Sequence, residues 1–112
     1  MVRLINCFEV PAGREEEFFA AFQKVNAYMR AKKGYVGHKM HRSLVPEAHY
    51  RFVNVVEWAS REECEAAHDE GFRALISQPG LSDVRSRPAL MTWSMRIRRK
   101  QLPINSVPGI AN

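Results

Sequence analysis

The period of the apolar pattern changes along this chain in one order: two, three to four, two, two, three to four, two. That order limits the possible folds more than any single residue does. In "VRLINCFEV", Val2, Leu4, Asn6, Phe8 and Val10 point one way and Arg3, Ile5, Cys7 and Glu9 the other, so the stretch predicts a strand. Pro11 and Gly13 close it. In "REEEFFAAFQKVNAYMRAKKG", Phe18, Phe22, Val25 and Met29, with Ala21 beside them, make one helical stripe. Glutamates at its start and Arg30, Lys32 and Lys33 at its end suit the helix dipole, and Gly34 predicts the stop.

"YVGHKMHRSL" and "HYRFVNVVEWA" predict two more strands, joined through the turn "VPEA". Ser60 with Glu63 three residues on is a capping-box signature for a second helix, which Gly71 is expected to interrupt and "FRALIS" to resume. "QPGLSDVRSRP" reads as irregular and "ALMTWSMRIRR" as the last strand. The resulting βαββαβ order predicts an α+β, ferredoxin-like domain over residues 1–99. Its four-stranded antiparallel sheet carries both helices on one face. Residues 100–112, with two prolines and a glycine, read as a C-terminal arm or tail.

The helix-free face of that sheet would expose Ile5, Cys7, Val53 and Val55. Such a face is too apolar to leave in water, and packing it on a second subunit's sheet gives a homodimer, a dimeric α+β barrel. Trp93, alternating with Met91, Met95 and Ile97, is expected at the same interface.

A length of 112 residues fits one domain, and 46% hydrophobic residues exclude a disordered chain. The net charge of +5 raises the question of nucleic acid. Six of the seventeen basic residues sit in "RSRP" and "RIRRK", which reads as a solvated basic edge. The strand order is also that of the RNA-recognition motif, and "KGYVGHKM" resembles its signature superficially. That signature belongs on the third strand, and His38 stands where a stacking aromatic is wanted, so no nucleic-acid partner is expected. Cys7 and Cys64 have neither CxxC nor zinc spacing, which predicts free thiols in a reducing cytoplasm. No run approaches transmembrane length, so no membrane partner is expected. His38 and His41, three apart on a strand, face opposite ways and cannot chelate one metal, and no metal site is predicted.

"INCFEVPAGREEEFFAAF", "KGYVGHKMHRS" and "YRFVNVVEWASREECEAAHDEGFRAL" resemble the antibiotic biosynthesis monooxygenase (ABM) family, over residues 2 to 98. The resemblance implies a dimeric α+β barrel with a ligand cavity between sheet and helices. It implies a cofactor-independent monooxygenase acting with dioxygen on an aromatic, quinol or polyketide-like small molecule. Such chemistry needs a base, or donors that stabilise a substrate anion, in a dry pocket. Asn6, which matches the catalytic asparagine of haem-degrading members, is a catalytic candidate, with His38 or His68 for the proton. Asn54, Trp58, Phe8, Phe22 and Phe72 are candidates for substrate binding, Trp58 also for packing.

Haem degradation is the alternative reading. The positions around that group's tryptophan hold Ala66 and Ala67, and "LISQPG" has no histidine, so one of its three residues is matched. A non-catalytic small-molecule-binding dimer is the other alternative.

Overall fold

The structure is a computed structural model and describes residues 1–95. The expected arm at 100–112 and the basic run at 96–100 lie outside the described residues, as does Ile97. Seven elements follow in order: β1 (Val2–Glu9), α1 (Glu15–Met29), β2 (Tyr35–Arg42), β3 (Phe52–Trp58), α2 (Arg61–Ala67), α3 (Glu70–Ile76) and β4 (Arg85–Met91). The strands form one antiparallel sheet in the order β2-β3-β1-β4. This is the ferredoxin-like plan, with the second helix in two pieces. No helix among the described residues is long and apolar enough to cross a membrane.

Strand parity decides the layers. Leu4, Asn6 and Phe8 of β1 lie opposite Val56, Asn54 and Phe52 of β3, all on the helix side. Ile5 and Cys7 lie opposite Val55 and Val53 on the other face, as the alternation requires. Phe18 from α1 sits between Phe8 and Phe52, with ring centroids 5.0 and 4.9 Å away. Phe18, Phe52 and Trp58 are the largest fully buried side chains. Burial of each stabilises the fold by about 2–3 kcal/mol.

Three local expectations are corrected. The last strand is Arg85–Met91, not the stretch beginning at Ala89. It pairs with Arg3 to Glu9 and the ladder stops at Met91, so Trp93 and Met95 lie beyond it. Gly71 does not interrupt the second helix. The break falls at His68 and Asp69, where Asp69 caps α3 by accepting from the Phe72 N–H at 3.0 Å. Gly71 lies inside α3, where a Cβ would collide with the Tyr28 hydroxyl of α1, so its glycine serves helix–helix approach. Plain alternation along "YVGHKMHRSL" would put Val36, His38, Met40 and Leu44 on one face, and the strand does not keep it. A bulge between Tyr35 and Gly37 turns Val36 outward and puts Tyr35, His38 and Met40 on the helix side, while Leu44 is solvent-exposed past the strand.

Other details follow from the chain's capping and turn residues. Ser60 accepts from the Glu63 N–H at 3.1 Å, which is half of the capping box. The turn at "VPEA" closes through Ala48 N–H to the Val45 carbonyl at 3.1 Å. Helix α1 ends at Met29, and Gly34 (φ 87°) instead makes the turn into β2. Arg51 is buried rather than a surface ion-pair partner, held by the Ser43 carbonyl and by Glu15 at 3.4 Å.

Asp69 also ties α3 to α1. Its carboxylate accepts from Lys32 Nζ at 2.7 Å and from the Tyr28 hydroxyl at 2.8 Å. Lys32, the capping Phe72 N–H and Tyr28 together hold the Asp69 carboxyl far below its ordinary range. A depressed carboxylate stabilises the fold above its unfolded pKa and loses that contribution as pH falls. The Asp69→Asn variant keeps a capping side chain but loses the charge. Its stability deficit in urea unfolding should be constant near neutral pH and shrink as pH drops below about 4.

Candidate functional site

The floor of the site follows from the β1–β3 register. Asn6 and Asn54 are direct cross-strand partners in the middle of an otherwise apolar face. Asn54 is 4% exposed, and its Oδ1 accepts from His38 Nδ1–H at 2.9 Å, which leaves its NH2 group facing away from β2. Among the described residues Asn6 Oδ1 is buried without a hydrogen-bond partner, and so is Trp58 Nε1. A buried acceptor left unpaired costs about 1–3 kcal/mol. An amide kept at that cost on a core face marks Asn6 as a candidate binding group.

The α2–α3 break supplies the wall. His68 caps the C-terminus of α2, and its Nδ1 lies 2.6 Å from the Cys64 carbonyl. A carbonyl can only accept, so Nδ1 carries a hydrogen and is committed to that contact, which leaves Nε2 as the nitrogen for other partners. The His68 ring stands edge-on to Phe72 (4.7 Å between centroids) and 6.1 Å from Trp58. The Arg73 guanidinium holds the His68 carbonyl at 3.1 Å and so fixes the break from the other side.

Three cavities adjoin over this floor. A chamber of about 50 Å³ lies between the sheet and α1, with Asn6, Asn54, Trp58, His68 and Tyr35 in its lining. A cleft of about 470 Å³ opens between α2–α3 and β4, lined by Asn6, Cys64, Glu65, His68, Ser86 and Leu90 among others. A third space of about 220 Å³ reaches toward Leu81 and Val84 past Phe8 and Phe22. Asn6 and Phe72 line all three. Taken together they fall within the size range of small-molecule sites, about 300–1,000 Å³.

The structure thus brings Asn6, Asn54, Trp58, His68, Phe8, Phe22 and Phe72 to one connected site. His38 lines none of the three cavities; it stands behind Asn54 and orients that amide. Trp58 is 1% exposed and packs edge-on against Tyr35 at 5.5 Å, so its body belongs to the core while its N–H faces the chamber's end. Sequence reasoning missed Tyr35, whose hydroxyl donates to Asn26 Oδ1 at 3.1 Å across that end. Burial pushes the Tyr35 phenol up. Gly37, a weak strand former two residues on, was the available hint of the bulge that places Tyr35 there. Ser86 and Leu90 were missed as lining residues because they depend on the register of β4, and Cys64 because it meets them only across the cleft from α2. Burial, and secondarily the charge of Glu65, pushes the Cys64 thiol up. Among the described residues no group of three His, Cys, Asp or Glu side chains could hold a metal ion.

The antibiotic biosynthesis monooxygenase family model matches residues 1–76. The chain belongs to the ABM family. A candidate monooxygenase from Shewanella loihica PV-4 superposes with a TM-score of 0.75 at 27% identity, over 85% of this chain and 95% of that one. SnoaB, a cofactor-independent oxygenase from Streptomyces nogalater, gives 0.72 at 22% identity, over 86% and 95%. The heme-degrader MhuD from Mycobacterium tuberculosis, with two hemes bound in its active site, gives 0.65 at 21%, over 88% and 100%. The last two share the fold with this ABM chain. No curated protein matches it.

The orphaned amide makes a stability prediction. Asn6→Leu removes the unpaired acceptor while keeping the branching of the side chain, and the adjoining cavities leave room for its two methyl groups. It should unfold at equal or higher urea concentration than wild type, with a gain of up to about 1–2 kcal/mol. A loss of more than about 1 kcal/mol would mean that the amide is structural.

Proposed function

We propose that this ABM-family protein is a cofactor-independent monooxygenase acting on an aromatic, quinol or polyketide-like small molecule, with dioxygen as co-substrate. The observation that supports the reading best is the buried Asn6 Oδ1, unpaired among the described residues, at the floor of a cleft that His68 also lines with its Nδ1 committed to the Cys64 carbonyl. The aromatic walls, Phe72, Phe22 and Phe8, take a flat ring system.

In this reading His68 Nε2 removes a proton from the substrate's acidic O–H or ring methylene. The Asn54 NH2 group donates to the oxygen on which negative charge develops, and Asn6 Oδ1 accepts from a neighbouring hydroxyl and sets the ring's orientation. His38 keeps Asn54 turned the right way. The electron-rich anion then reduces dioxygen. Where a ring methylene becomes a carbonyl, one oxygen atom enters the product and the other leaves as water with the two methylene hydrogens. The substrate itself supplies all four electrons. Closure of the walls around the ring excludes water from the anion.

An oxygen electrode with an anthrone or a naphthoquinol tests this. Wild-type protein should consume oxygen above the spontaneous rate, and His68→Ala and Asn6→Ala should each lower kcat by about 10²-fold with little change in fold. Oxygen uptake indistinguishable from the spontaneous rate across such substrates would defeat the proposal.

Haem degradation fits the lining less well. Haem carries two propionates, and no lysine or arginine among the described residues lines any of the three cavities. No step is assigned to haem.

The same reading includes a homodimer in a reducing cytoplasm, consistent with the free thiols of Cys7 and Cys64. The helix-free face carries Ile5, Cys7, Val53, Val55, Ala89 and Met91. A groove of about 840 Å³ continues it past Trp93 and Met95, which are 62% and 70% exposed. Packing that face on a second copy would bury it. Val55→Asp should shift the protein from dimer to monomer in light scattering coupled to gel filtration. An unchanged mass with that variant would place the interface elsewhere.

A further inference from the structure

The chain carries a net charge of +5, so anions are drawn to it from a distance. Its cleft has the opposite character. The three cavities are lined by apolar side chains, amides, serines, a thiol, an indole, a phenol and an imidazole, and, among the described residues, by one formal charge, the Glu65 carboxylate at the rim. We propose that this cleft selects uncharged aromatic ligands and turns away carboxylated ones, and that Glu65 is the residue that sets the preference.

The inference deepens the reading of this cleft as a ligand site and does not depend on oxygenation. A carboxylate entering the cleft would give up its water shell, a loss that only a cation or several aligned donors can offset. No lysine or arginine among the described residues lines the space. Two arginines stand on the walling helices, and both are engaged. Arg61 Nε donates to Glu65 Oε1 at 2.8 Å on the exposed side of α2, and Arg73 donates to the His68 carbonyl. Glu65 lines the mouth of the cleft beside Cys64, partly in solvent and partly facing the space. A neutral hydroxylated ring meets a different set of groups. Asn6 Oδ1 and His68 Nε2 accept, while the Asn54 NH2 and the Trp58 N–H donate.

Glu65 has a second effect. Its carboxylate occupies Arg61, so neutralising it removes a negative charge and releases a guanidinium beside the mouth at the same time.

The test is a matched pair of ligands measured by isothermal titration calorimetry at pH 7.5 and low salt. 3-Hydroxy-2-naphthamide and 3-hydroxy-2-naphthoate share their ring and nearly their shape and differ by one charge. The amide should bind the wild-type protein at least about tenfold more tightly. In Glu65→Gln the gap should narrow to about threefold or less, and in Glu65→Lys it should vanish or invert. Both variants alter a surface side chain and should unfold at the wild-type urea concentration. Equal or tighter binding of the naphthoate by wild type, or no binding of either ligand, would overturn the preference. A gap unchanged in both variants would overturn the role of Glu65. Stoichiometric haem binding that the naphthamide displaces would also contradict it. A preference for the amide with no oxygen uptake on any quinol supports the charge selection and removes the oxygenase reading alone.

Discussion

The pairing of β1 with β3 is the constraint on which the rest depends. It sets Phe8 opposite Phe52 and so builds the seat for Phe18 of α1, which anchors the long helix to the sheet. The same register sets Asn6 opposite Asn54 and so places two amides where a core would otherwise continue. A slip of one residue would exchange the faces, moving the aromatic seat and the amides together to the far side. Core and site are therefore specified by one set of hydrogen bonds.

The site is built where the cover is thinnest. Helix α1 lies over the sheet with four buried residues, but α3 has none. It is held by the Asp69 contacts to Tyr28 and Lys32 at one end and by Phe72 and Leu75 against the core. The edge strand β4 is exposed along its whole length, so the space above Ser86, Pro88 and Leu90 stays open as a cleft. A ligand site needs such incomplete packing, and the fold offsets it with the dense aromatic cluster at the other end of the sheet. The unpaired oxygen of Asn6 lies at the same point, where an acceptor without a partner costs stability.

Much of this was legible in the residues. The strand alternation fixed which side of β1 carries Asn6, and the same parity argument grouped Asn54 with Phe52, Val56 and Trp58. The Ser60 cap was readable because capping is a local contact between near neighbours. The break at His68 was not, because Gly71 looked like the local breaker and Asp69 acts partly through residues about forty positions away. The bulge at Val36 also escaped, and with it Tyr35, since a bulge is a property of two paired strands. His38 was legible as a helix-side residue, yet its partner Asn54 lies sixteen positions on, across a strand pair.

The sequence alone determined the order of elements, the faces of the central strands and the residue types available for chemistry, because periodicity and capping act over a few residues. Tertiary structure decided which of those residues meet. It placed Asn6 beneath His68 and Phe72 and put His38 behind Asn54 instead of in the cleft. Among the described residues it also left a single carboxylate, Glu65, at the rim. Those outcomes rest on register, on one bulge and on where a helix breaks. Each is set by contacts between segments far apart in the chain, which local pattern does not encode.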